Sequence, residues 1–218
     1  MKAFVAGATG QTGRHIVSEL IKRNISVRAL VRNLELAKQV LPTGVELVQG
    51  NVLFADTLPE AIADCDVLIC ATGAKPSLNV LEPYLVDFIG TKNLVKAAKA
   101  KNIQHFVIVS SLCVSKFLHP LNLFWLVLFW KKQAERYLQD SGLTYTIVRP
   151  GGLLNREKEG GLVLVGADTL FEGSIPRTKV SQVTVEALFE DNAKNKLVEI
   201  VVNADTPDRP IAELFATV

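Results

Sequence analysis

The sequence predicts an α/β fold: a Rossmann-type doubly wound parallel sheet, strand order 3-2-1-4-5-6, with an added edge strand. Three observations carry this. An apolar strand at residues 2–6 runs straight into the glycine-spaced turn Gly7-Ala8-Thr9-Gly10-Gln11-Thr12-Gly13. Short runs rich in branched residues recur at 26–31, 45–49, 67–70, 105–109 and 144–149, as strands buried on both faces should. Helical patterns separate them, and strand–helix alternation with right-handed crossovers gives a doubly wound sheet whose ligand lies outside the carboxyl ends of the first and fourth strands.

Taken in order, the first turn reads as a phosphate cradle. Gly7 allows the sharp turn, Gly10 removes a Cβ that would hold a pyrophosphate off the backbone, and Gly13 lets the helix pack on the strand. Unpaired amides of the first helical turn then face the anion, with Thr9, Gln11 and Thr12 beside it. The helix at 12–23 places Ile16, Leu20 and Ile21 on one face. Further helices are expected at 34–40, 58–63, 81–101 and 123–140. The second of these four carries its own start signal, a capping box from Thr57 to Glu60 with Pro59 in the first turn. After Arg149-Pro150-Gly151-Gly152 the pattern loosens into glycine-rich turns, a helix near 180–190, a strand near 197–202 and a short terminal helix. The reading is one domain, 1–218, with residues 151–218 supplying the substrate-side cap.

A chain of 218 residues fits one α/β unit with a complete core. With 24 basic against 22 acidic residues and no basic stripe interleaved with aromatics, nucleic acid is not an expected partner. Cys65, Cys70 and Cys113 have no metal-ligand spacing and read as buried thiols; no metal is expected. The first strand begins at residue 2, leaving no leader pattern, so a cytoplasmic location is expected. The compositional anomaly is the run from Leu121 to Trp130, preceded by Phe117-Leu118-His119-Pro120. It is too short to span a bilayer, which takes about 20 apolar residues. Three readings stay open: a buried helix start, an apolar wall over a ligand pocket, or a surface facing a membrane, a protein partner or a second copy. If helical from Leu123, it would put Leu123, Leu126 and Val127 or Trp130 in the core and Phe124, Trp125 and Leu128 outward.

The second strand ends Leu30-Val31-Arg32-Asn33, with no acid where an NAD site uses one to accept from the ribose hydroxyls. Arg32 instead places a guanidinium where an adenosine 2′-phosphate would lie. Such a bond contributes about 1.5–3 kcal/mol, roughly one to two orders of magnitude in favour of NADP.

With Gly50-Asn51-Val52 after the third strand, Ala71-Thr72-Gly73-Ala74 after the fourth and Ser110-Ser111 after the fifth, the chain resembles the extended and atypical short-chain dehydrogenase/reductases. The segment from Lys131 to Gly152 resembles the NmrA-like, Tic62-related NADP-binding branch, and the opening turn is similar to that of biliverdin reductase B. The resemblance implies NADP(H) contacts from Asn51, Val52, Ala71, Thr72, Gly73, Lys131, Pro150 and Gly151. It also implies catalytic roles for Ser111, which would orient the acceptor, and Lys131, which would bind the nicotinamide ribose. The proton-donating Tyr of the superfamily falls four residues before that Lys, where this chain has Val127. Asp87 falls where extended members often carry an active-site Asn. The expected activity is hydride transfer to a small-molecule acceptor needing no protein phenol, such as a flavin, quinone or tetrapyrrole. The alternative is a non-enzymatic NADP(H) sensor that binds a protein partner.

Overall fold

In the computed structural model, which describes residues 1–74, 79–123 and 125–218, six strands pair in parallel in the order β3-β2-β1-β4-β5-β6. They are β1 (Lys2–Ala6), β2 (Ser26–Val31), β3 (Glu46–Gln49), β4 (Val67–Cys70), β5 (His105–Val109) and β6 (Tyr145–Pro150). The period of two along each strand divides the core. In β1, Ala3 and Val5 pack on α1 (Gln11–Lys22) and α6 (Arg177–Glu186). Phe4 and Ala6 face α3 (Leu58–Ile62), α4 (Thr91–Ala100) and α5 (Val127–Gln139) on the other side. Between β2 and β3 lies α2 (Leu34–Val40), N-capped by Asn33, whose Oδ1 accepts from the Leu36 amide at 2.9 Å.

Beyond β6 the sheet gains four further strands among the described residues, more than the added edge expected. They are β7 (Gly152–Leu154), β8 (Gly161–Gly166), β9 (Ser174–Pro176) and β10 (Lys196–Asn203). β10 pairs in parallel with β6 and antiparallel with β8. The chain closes with α7 (Ile211–Phe215), whose Phe215 is fully buried. Glu186 near the end of α6 ties that helix to α1 through Arg23 at 2.7 Å.

Three local expectations are corrected. The capping box does not form: a 3-10 turn at Ala55–Thr57 precedes α3, leaving Thr57 in a helical conformation with its hydroxyl donating to the Phe54 carbonyl. The helix expected at 81–101 is two pieces, a π-helical segment at Tyr84–Gly90 followed by α4. α5 starts at Val127, not Leu123, because Trp125 and Leu126 both take left-handed φ, +57° and +59°. The face assignment changes with it: Leu123 and Leu126 are exposed and Leu128 is buried, while Phe124 lies outside the described residues.

Candidate functional site

β1 turns at Gly7 with φ +83°, where a Cβ would stand 2.5 Å from the Ala71 carbonyl oxygen. A Cβ on Gly13 would stand 2.1 Å from the Gly7 carbonyl oxygen, so α1 can approach the turn this closely only with glycine. At Gly10 a Cβ would meet only that same oxygen, at 3.1 Å, and the remaining space is open. No side chain caps α1 and its first turn holds no acid, so the amides of Gln11, Thr12 and Gly13 present the positive end of the helix dipole.

These groups floor a cleft of about 210 Å³. Its walls come from the carboxyl ends of β2, β3 and β4: Arg32, then Asn51 and Val52, then Ala71, Thr72 and Gly73, together with Gly7, Thr9 and Gly10 from the turn. Arg32 is exposed and makes no ion pair with the described residues; Asn33 beside it is engaged in capping α2. Asn51 Oδ1 accepts from the Leu53 amide at 3.1 Å. Sequence reasoning missed Leu30, Leu36, Glu82 and Val86 as lining residues, and it quoted Gly50 beside Asn51 without giving it a role. A Cβ on Gly50 would come within 2.7 Å of Leu30 Cδ1.

The cleft meets a buried charge pair at Gly73. Lys131 Nζ donates to Asp87 Oδ1 at 2.7 Å, and Asp87 Oδ2 accepts from the Ala74 amide at 3.2 Å. A Cβ on Gly73 would stand 3.7 Å from both Lys131 Nζ and Asp87 Oδ1. Helical periodicity explains the lysine: Leu128, Lys131, Glu135 and Leu138 share the inward face of α5. Asp87 reaches it from the π-helical segment and is only 3% exposed. Burial alone would push the Lys131 ammonium down, but the Asp87 carboxylate outweighs it and holds Lys131 above the ordinary lysine value. Lys131 is therefore a fixed cation at neutral pH and a hydrogen-bond donor.

Ser110 lines the same small cavity as Lys131 and Asp87, and its Oγ is buried with no hydrogen-bond partner among the described residues. Ser111, singled out from the sequence, is half-buried and does not line that cavity. The alternation of β5 favours Ser110, which follows Val109 directly and is fixed by its own amide, donating to the Val148 carbonyl at 2.7 Å. Val127 is the first residue of α5 and is half-buried. Pro150 and Gly151 are held in the sheet: the Leu112 amide donates to Pro150 and the Gly151 amide to Ile200. A Cβ on Gly151 would meet Gly173 and Val201 at under 3 Å. His119 Nδ1 accepts from the Leu121 amide within its own loop.

Behind the site, Arg149 at 4% exposure pairs with Glu135 at 2.6 Å and Glu199 at 3.2 Å, both buried, and with Asp168 at 2.8 Å. Burial pushes the guanidinium down, but Glu135, Asp168 and Glu199 together more than offset it, and Arg149 stays raised. Glu199 also accepts from the amides of Asp168, Thr169 and Leu170, fixing that loop. The loop in turn grips the segment after β5. Ser115 donates to Asp168, Cys113 Sγ donates to the Phe171 carbonyl, and Lys116 Nζ sits 3.7 Å from the Phe171 ring centre.

The NAD(P)H-binding family model matches residues 7–191. The chloroplastic protein At2g34460 of Arabidopsis thaliana is 45% identical over 100% of this chain and 82% of its own length. The chloroplastic protein TIC 62 of Pisum sativum is 37% identical over 99% of this chain, which spans 45% of that longer protein. Sanguinarine reductase of Eschscholzia californica is 32% identical over 92% of this chain and 88% of its own length. Among solved structures, an NAD-dependent epimerase/dehydratase-type protein of Bacillus halodurans superposes with TM-score 0.88 at 29% identity, covering 100% of both chains. The chloroplastic plant relatives overturn the cytoplasmic expectation, which rested only on where the first strand begins. A glycine-built anion turn, a cleft across β1 and β4 and the match over residues 7–191 place this chain in the NAD(P)H-binding family, with a Rossmann-like fold and Tic62-type relatives.

Proposed function

We propose that the chain is an NADPH-dependent reductase whose acceptor is a conjugated system, of the flavin, quinone or tetrapyrrole class, that needs no proton from a protein phenol. The observation that carries this is the corner beneath Gly73: a buried Lys131–Asp87 pair with the Ser110 hydroxyl, unpartnered among the described residues, and Val127 one turn before the lysine. Valine cannot transfer a proton. An isolated carbonyl, which needs one at its oxygen as hydride arrives, is poorly served, whereas a conjugated acceptor delocalises the added electron pair and takes its proton from water. When bound, NADPH supplies the hydride.

The chain's own groups bind and orient. Arg32 holds the 2′-phosphate, the first turn of α1 holds the pyrophosphate, and Lys131 with Ser110 donates hydrogen bonds on the nicotinamide side. The loop at 168–171, clasped to residues 113–116, closes the carboxyl edge as a cap drawn from the 151–218 tail. The aromatic group Tyr84, Phe88, Phe129 and Trp130, with Tyr84 and Trp130 centroids 4.8 Å apart, offers planar surfaces beside this corner. A relative that is by name a reductase supports the reaction class.

The test is NADPH consumption with flavins, quinones, tetrapyrroles and isolated ketones, on wild type and Lys131→Met. The expected result is turnover with a conjugated acceptor, strongly reduced in the variant. Tight NADPH binding with no turnover in any class would instead favour a nucleotide sensor that signals through a partner.

A further inference from the structure

We propose that the loop between β5 and α5 is a membrane-docking element that inserts its apolar tip into an anionic lipid surface. Its side chains are left out of the core to a degree unusual for their type. Leu118 is 94% and Leu123 83% exposed, and Phe117, Leu121, Trp125 and Leu126 are all exposed. Soluble proteins scatter single apolar residues over their surfaces, but six within ten positions form a contiguous segment that calls for an occupant.

The loop's shape is built in rather than left loose. Asn122 is buried, donates through Nδ2 to the Phe117 carbonyl at 2.8 Å and accepts through Oδ1 from the Leu128 and Phe129 amides at 3.0 and 3.2 Å. One amide thus closes the loop and caps α5, while Trp125 and Leu126 hold left-handed backbone angles between those anchors. The polar side chain points in and the leucines stay out.

Charge decides among occupants. Among the described residues, the free cations beside the loop are Lys116, Lys132 and Arg136, whereas Lys131 is spent on Asp87. Lys116 begins the loop, and Lys132 and Arg136 line a depression shared with Phe117 and Phe129. Of the carboxylates near this rim, Asp168 is already engaged by Ser115 and Arg149, and the exposed Glu172 follows Phe171. An apolar tip of Leu, Phe and Trp flanked by Lys116, Lys132 and Arg136 matches the two components of interfacial binding, apolar burial in the headgroup region and attraction to anionic lipid. No helix among the described residues is long and apolar enough to cross a membrane, so the attachment is peripheral. The loop springs from the carboxyl end of β5 and leads into Lys131, so docking would turn the candidate site toward the lipid. This proposal stands independently of the reductase reading.

The experiment is flotation of the full chain with vesicles of phosphatidylcholine alone and with about one-third phosphatidylglycerol. Wild type and Leu118→Ser/Leu123→Ser are compared at low and high salt. The expected result is flotation with the anionic vesicles, weakened by salt and reduced at least about tenfold in the double variant, whose NADPH affinity and thermal midpoint match wild type. Both substituted leucines make little contact with the core, so the variant tests the surface and not folding. Absence of flotation by wild type overturns the proposal, as does flotation undiminished in the double variant. A wild-type dimer that the double variant converts to monomer, without flotation, would overturn it by assigning the loop to a second copy of the chain.

Discussion

Arg32 stands just past the end of β2 with no anionic partner among the described residues, while the neighbouring Asn33 is spent on capping α2. Replacing it by Asp puts a carboxylate where the 2′-phosphate would lie. Calorimetric titration of Arg32→Asp should show NADPH affinity falling roughly 10- to 100-fold with NADH affinity held or improved. Equal affinities for the two nucleotides in wild type would remove Arg32 from the site. His105 makes a separate prediction. Its Nε2 lies 2.9 Å from Thr146 Oγ1, whose hydroxyl donates to the Ala193 carbonyl at 2.6 Å, so the imidazole is the donor in that contact. Burial, with Lys194 adding to it, pushes its pKa from 6.5 to about 4. A depressed histidine contributes stability above its unfolded value; as pH falls the unfolded chain takes the proton first, and stability is lost from about pH 6.5 down through about 4. Urea midpoints across that window should fall in wild type and fall less steeply in His105→Gln. At this scale the residues with one strong chemical meaning were readable: the glycines of the turn and the acid-free strand end. Ser110 was not separable from Ser111, because neighbouring residues after a strand differ only in the direction of their side chains, which the sequence does not state. Asp87 was legible by position, but its partner was not, since a π-helical segment sets its direction.

Elements separate the same way. Strands buried on both faces announce themselves as apolar runs, and the six parallel strands fall at their expected places within a residue or two. The start of α5 did not, because an apolar run from Leu121 to Trp130 has no polar punctuation except Asn122, and that one residue carries the cap. Asn122→Ala should cost about 1–2 kcal/mol in chemical denaturation, with α5 fraying at its first turn in hydrogen exchange; an unchanged midpoint would mean that α5 is held by packing alone. The tail beyond β6 was the least legible part, since β7 and β9 are three residues each and its turns are glycine-rich. What anchors it is long-range: Arg149 on β6 joins Glu135 of α5 to Glu199 of β10. Arg149→Met leaves two buried carboxylates without their cation and should cost about 3–5 kcal/mol, a large share of the stability of a domain this size. A small effect on the urea midpoint would show that water reaches those carboxylates.

At the scale of the whole molecule, the doubly wound sheet gathers the carboxyl ends of β1 to β5 at one edge, which brings a glycine turn, an exposed guanidinium, a buried lysine and an apolar loop together from positions scattered between residues 7 and 131. The strand order made that edge predictable, and the family match over residues 7–191 agrees with it. The reaction proposed for that edge rests on a residue type that is missing from its usual position. With Val127 before Lys131, simple secondary alcohols and isolated ketones should not turn over at ordinary dehydrogenase rates, and Val127→Tyr need not restore them, because the surrounding apolar wall does not orient a phenol. The most direct measurement is single-turnover hydride transfer using NADPH deuterated at nicotinamide C4, with flavin, quinone and tetrapyrrole acceptors beside an isolated ketone. The account predicts that the nucleotide loses its deuterium to a conjugated acceptor with a primary isotope effect, the label being kept where a tetrapyrrole carbon is reduced and exchanged into water from a flavin nitrogen or quinol oxygen, and that none reaches the alcohol product of the ketone. Bound NADPH that keeps its deuterium with every conjugated acceptor, or transfers it efficiently to the ketone, would contradict it.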